Sequence, residues 1–106
     1  MQGPRPAIAV QVHADEAAGE DDRDYARAKV ARAAQRAWGP VLFARIDLRW
    51  EANRSQSRPA TAKVLVDVNG TPVLAHADAP SLHEAIDLVE DRLAHRLDHT
   101  SSARRH

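Results

Sequence analysis

Ala60-Thr-Ala-Lys-Val-Leu-Val-Asp-Val-Asn-Gly-Thr-Pro-Val-Leu-Ala-His-Ala77 is the stretch on which the fold turns. Ala62, Val64, Val66 and Val68 alternate with Thr61, Lys63 and Asp67, which predicts a strand over 60–68 with one apolar face. Asn69-Gly70 then marks a two-residue hairpin, because both residues tolerate positive φ. A short fourth strand follows at about Val73 to Ala77.

Upstream, Leu42, Ala44, Ile46, Leu48 and Trp50 take one face of a strand over 41–50, and Phe43, Arg45, Asp47 and Arg49 the other. Before it, Ala26, Val30, Ala33 and Ala37 predict an amphipathic helix over 22–38 with a shallow contact face, stopped by Trp38-Gly39-Pro40. Ile8, Val10 and Val12 alternate in a first strand from Pro6 to His13. Downstream, Ser81 and Glu84 have capping-box spacing, and Leu82, Ile86, Val89, Leu93 and Leu97 form a helical stripe to about Asp98. Glu51 to Pro59 reads as a mobile loop, in which Arg54 and Arg58 are cationic.

The order is β-α-β-β-β-α, an α+β fold. Its first two strands pair in parallel through a right-handed crossover, and the last three form a meander. Each strand has one apolar face, so both helices belong on the same side of a four-stranded mixed sheet. The expected domain spans residues 6–99, and 100–106 reads as a flexible basic tail.

The 106 residues include 15 basic and 15 acidic side chains, six histidines and no cysteine. That removes disulfide scaffolds, cysteine zinc sites and thiol nucleophiles. No apolar run approaches the ~20 residues of a membrane span and no signal-peptide core precedes the first strand, so a cytoplasmic protein with no membrane partner is expected. Aromatics are 4% and alanine is abundant, so the core buries modest area per residue.

Zero net charge hides a segregated last helix. At 100° per residue Arg92, His95, Arg96 and His99 lie on one flank, and Glu84, Asp87, Glu90, Asp91 and Asp98 on the other flank or the back. Lys29, Arg32 and Arg36 form a stripe on the first helix, and with both helices on one side of the sheet the stripes are expected to make a common basic surface. The plainer reading is solvated faces with local ion pairs, such as Asp22 or Asp24 with nearby arginines. His95 and His99 are spaced i, i+4, but no third and fourth ligand accompany them, so no metal is expected. Imidazole, which gains charge below about pH 6.5, would instead supplement phosphate contacts. Asp47 and Asp67 are interleaved with Arg45, Arg49 and Lys63, which reads as cross-strand ion pairing. With no phosphate loop or nucleophile elbow, neither an enzyme nor a cofactor is expected. Trp38 and Trp50 read as core, and Phe43 as the aromatic on the open face.

The run Thr71-Pro-Val-Leu-Ala-His-Ala-Asp-Ala-Pro-Ser-Leu-His-Glu-Ala-Ile-Asp-Leu-Val-Glu-Asp-Arg-Leu93 resembles the ribosome hibernation-promoting factors, also called the protein Y or sigma-54 modulation family. Leu82-His83-Glu84-Ala85-Ile86-Asp87 matches the family's aromatic-x-Ala-Ile-Asp helix, with His83 where tyrosine is usual. The helix with Tyr25 and Lys29 looks like the family's first helix. The resemblance implies a fold like the double-stranded-RNA-binding domain and a bacterial-type stress factor of dormancy. Such a factor binds the small ribosomal subunit and its 16S rRNA decoding region, inhibiting translation by occluding the mRNA and tRNA sites. Lys29, Arg32, Arg36, Arg92 and Arg96 are the expected RNA-binding residues, with His95, His99, Arg104 and Arg105 supporting. Long members carry a C-terminal dimerisation domain, so this chain is read as a short member or the N-terminal piece of a long one. The alternative is a protein-interaction or dimerisation module of the same fold with weak or no RNA binding, favoured by neutral charge and Phe43.

Overall fold

A computed structural model describes residues 8–51 and 58–104, with side chains through residue 99. Its elements are β1 (Gln11–Ala14), α1 (Glu20–Ala34), β2 (Val41–Trp50), β3 (Ala60–Val68), β4 (Thr71–Ala79) and α2 (Leu82–Arg104). The sheet order is β1-β2-β3-β4, parallel between β1 and β2 and antiparallel elsewhere. The hairpin turns at Asn69 (φ 52°) and Gly70 (φ 94°), and Asp67 Oδ1 accepts the Gly70 N–H at 2.7 Å. Asp67 thus serves the turn.

One face of the sheet carries both helices, which also pack on each other. Ala26, Val30, Ala33 and Ala34 are the buried face of α1, and Ile86, Val89, Leu93 and Leu97 that of α2. Leu82 is buried as well. The opposing strand positions are small: Ala44, Ala60, Ala62, Ala75, Ala77 and Ala79 are all buried beside Ile46, Leu48, Val64, Val66 and Val68. Alanine on both layers lets the helices lie close to the sheet, so tight packing replaces bulk. Helix α2 packs chiefly on β4 and β3, and α1 on β1 and β2.

Several boundaries differ from those expected. Helix α1 starts two residues earlier than residue 22, where the Gly19 N–H bonds Asp22 Oδ2 at 3.0 Å. It ends at Ala34 rather than 38, because the chain tightens into i→i+3 turns that reach Ala37. Helix α2 opens on Ser81, whose Oγ accepts the Glu84 N–H at 3.2 Å and donates to Glu84 Oε2 at 2.9 Å. Its backbone runs past Asp98 to Arg104, taking in residues assigned to the tail, because no glycine or proline interrupts them. The first strand is shorter than 6–13 and ends at Ala14; β4 is two residues longer at each end. The loop after Glu51, with Arg54, lies largely outside the described residues. Glu51 N–H and Pro59 C=O close its base at 2.9 Å.

Two assignments to the core are corrected. The β2–β3 register shifts between Val41 and Phe43, so Leu42 is the extra residue of a bulge and stands 62% exposed. Trp50 is on the core side by alternation but 38% exposed, since it lies at the end of the sheet where both helices begin. Phe43 is half-buried on the open face, and Trp38 packs at the edge of the core as expected.

Candidate nucleic-acid interface

The two cationic stripes do not merge. On α1 a single flank carries Asp22, Tyr25, Lys29, Arg32 and Arg36, three or four residues apart, and that flank faces α2. There it meets the acidic flank of α2. Lys29 Nζ lies 3.4 Å from Asp87 Oδ1 and 3.5 Å from Glu90 Oε1, and Arg32 Nε lies 3.6 Å from Glu90 Oε2. Arg36 grips both carboxylate oxygens of Asp98. This corrects the expected common basic surface: a wheel shows which residues share a flank, but the flank that meets the neighbour is set by packing. Asp24 does pair locally, with Arg27 at 3.0 Å, while Asp22 pairs with His83 across the seam at 3.2 Å.

The seam tunes its members. The hydrogen bond to Asp87, received at 2.5 Å, raises the Tyr25 phenol above its ordinary value, with burial adding to it. The Glu90 charge raises Lys29. The Arg36–Asp98 hydrogen bond raises the guanidinium and lowers the carboxyl. Tyr25 also stacks on His83, with centroids 4.2 Å apart and ring planes 3° from parallel, and Lys29 Nζ lies 5.2 Å from the Tyr25 centroid.

The other flank of α2 overhangs the free edge of β4. Arg92, His95, Arg96 and His99 line a cleft of about 810 Å³ there, together with His76, Leu74 and Pro72. Among the described residues none of those four α2 side chains forms an ion pair. The hairpin explains the arrangement of the edge. Val68 and Thr71 flank the two-residue turn as a hydrogen-bonded pair, so Pro72, Leu74, His76 and Asp78 turn their backbone groups outward. Pro72 offers no N–H, and Arg92 Nη1 donates to the His76 carbonyl at 2.8 Å. Both features blunt an edge that would otherwise invite another strand. Arg104 ends α2, and Arg105 lies outside the described residues.

On the open sheet face Arg45 Nε is 3.3 Å from Asp47 Oδ2, a pair within one strand rather than the cross-strand pairing expected. Leu74, 60% exposed, sits opposite half-buried Leu65. Among the described residues no group of three or more histidine and carboxylate side chains is placed to hold a metal ion. No described helix is long and apolar enough to cross a membrane. The sequence reading missed Tyr25, Asp22, Asp87 and Glu90 as partners. The signal was present, since 29, 32 and 36 on α1 mirror 87, 90 and 98 on α2 in opposite charge.

Comparison with known proteins agrees with this architecture. The N-terminal domain of Thermus thermophilus Protein Y superposes with a TM-score of 0.70 at 23% identity, covering 88% of this chain and 99% of that one. A ribosomal subunit interface protein from Coxiella burnetii gives 0.67 at 13% identity, covering 88% and 97%. No curated protein matches significantly in sequence. The family model for Sigma 54 modulation protein / S30EA ribosomal protein matches residues 10–105, nearly the whole chain. The chain belongs to that family, the ribosome-associated modulation and hibernation factors that its sequence resembles.

Proposed function

We propose that this domain binds the small ribosomal subunit at its 16S rRNA decoding region and inhibits translation by occluding the paths of mRNA and tRNA. The observation that carries the reading is the flank of α2 on which Arg92, His95, Arg96 and His99 form no ion pair among the described residues, on a chain of this family. Arginine suits the task because its planar fork meets phosphate bidentately and stacks on bases. Lys29, Arg32 and Arg36 contribute where rRNA phosphates replace the carboxylates of the seam. In sequence, Arg104 and Arg105 add two further cations after His99. The action is occlusion in the cytoplasm, where ribosomes work, with no bond made or broken.

The test is binding to purified small subunits across a salt series, read beside inhibition of cell-free translation. Affinity should fall steeply with salt, by about one unit of log–log slope for each phosphate contact. Arg92→Glu with Arg96→Glu should weaken binding and relieve inhibition, whereas Arg45→Glu with Arg49→Glu on the open sheet should change neither. No association at low salt would refute the proposal. It would favour the second reading, an interaction module docking through the Leu65–Leu74 row of the open face.

A further inference from the structure

At the opposite end of the helices from the bulge, the N-termini of α1 and α2 flank a shallow recess of about 500 Å³. Its walls are Ala17, Asp22, Trp50, Ser81, Leu82 and His83. The volume falls within the roughly 300–1,000 Å³ of small-ligand clefts. Trp50 belongs to the core-facing series of β2, yet its indole is left open because the sheet offers nothing large to cover it. Its register partner on β3 is Ala60, and the next on β4 is Ala79. The same recess is lined by a ring already fixed in place. His83 lies flat on Tyr25, and Asp22 Oδ1 holds its Nε2 at 3.2 Å. Tyr25 is itself tied to Asp87. An ordered aromatic pair lining the same recess as an exposed indole loses little freedom when a flat ring enters.

We propose that this recess takes one unpaired nucleobase of single-stranded RNA, stacked between Trp50 and the His83–Tyr25 pair. The inference rests on the RNA-binding reading above and adds to it a contact that is not electrostatic. Charge decides which part of the nucleotide enters. Glu20, Asp21 and Asp22 fill the first turn of α1, so a phosphate is repelled there while a neutral base is not. The phosphates of the same strand therefore lie outside the recess. Stacking on aromatic side chains tolerates any base, so the site supplies affinity rather than sequence choice.

The two tryptophan indole N–H signals in a nitrogen-correlated NMR spectrum provide the test, because Trp38 lies at the far end of α1 and serves as an internal reference. Hexaadenylate should shift the Trp50 signal and leave that of Trp38, and inorganic polyphosphate of equal charge should move neither. Trp50→Leu and His83→Ala should each weaken small-subunit binding by roughly 5- to 150-fold, the range for losing one stacked base. His83→Tyr should restore it, and the salt slope should stay unchanged in all three, since no phosphate contact is removed. Each variant is compared at an unfolding midpoint that shows it folded. If small subunits still bind tightly to Trp50→Leu, or if hexaadenylate binds without moving the Trp50 signal, the recess is not a base site while the occlusion reading stands. If neither hexaadenylate nor small subunits bind the wild-type chain, both fall.

Discussion

Leu93→Ala should be the most informative single change in the fold. Leu93 is fully buried in the middle of α2, within one core cluster shared by both helices and strands β2, β3 and β4, against which Val12 and Ala14 of β1 pack. Removing three carbons forfeits about 2.4 kcal/mol at about 0.8 kcal/mol each. An unrelaxed cavity of about 70 Å³ adds about 1.7 kcal/mol at about 24 cal/mol per Å³. The sum is about 4 kcal/mol. Relaxation should recover little of it, because the neighbouring strand positions are largely alanines with no long side chain to swing into the gap. A domain of this size holds roughly 5–15 kcal/mol, so the variant keeps roughly 1–11 kcal/mol and stays folded. Equilibrium urea unfolding reads the change directly. With a slope near 2 kcal/mol/M the midpoint should fall by about 2 M. Leu88→Ala, on the same helix but 41% exposed, should move by no more than about 0.5 kcal/mol. Equal losses for the two, or less than about 1 kcal/mol for Leu93→Ala, would overturn the packing described.

Acid and alkali should loosen the seam for opposite reasons. Asp98 is lowered by Arg36, so its contribution is present above the ordinary carboxylate value near 3.9 and disappears as pH falls through the lowered folded value. Lys29 and Tyr25 are raised, so theirs is complete below about pH 10 and is lost as pH climbs through the raised values. Melting temperature against pH should therefore fall at both ends, and Asp98→Asn should flatten the acid limb alone. Gly70→Ala should cost about 1 kcal/mol although no atom lies within 4 Å of the added carbon, because its φ of 94° is the whole penalty. A urea midpoint identical to wild type would contradict that. Arg92→Ala should make the protein associate with rising concentration in sedimentation, by uncovering the His76 carbonyl on the β4 edge, while His95→Ala should not. Equal behaviour of the two variants counts against the capping role.

What the sequence disclosed follows from what local patterns encode. Asn69-Gly70 with alternation on both sides specified the hairpin and its register, because turn geometry and a one-sided strand leave little choice. The parallel β1–β2 pair and the shared helix face followed from the crossover and the apolar faces. A period of two cannot register an inserted residue, so Leu42 read as core. Alternation places Trp50 on a face but says nothing of how far the helices extend over it. The two cationic stripes were legible as stripes. Which one meets carboxylates depends on a contact between residues some sixty positions apart, such as Tyr25 with Asp87, and no local pattern carries that.

In the reading proposed above, the carboxylates along the seam already hold the α1 cations that phosphates would meet, and this changes what ionic strength would measure. A cation bare in solution binds RNA by releasing counterions condensed on the strand, which makes affinity steeply salt-dependent. If Lys29, Arg32 and Arg36 left Glu90, Asp87 or Asp98 for phosphate, they would exchange one fixed anion for another, and the freed carboxylate would take up cations from solution as the phosphate released them. Those contacts would nearly cancel in the slope. The slope would then count chiefly those cations of α2 that form no ion pair among the described residues, and the seam carboxylates would act as a built-in competitor for the α1 cations.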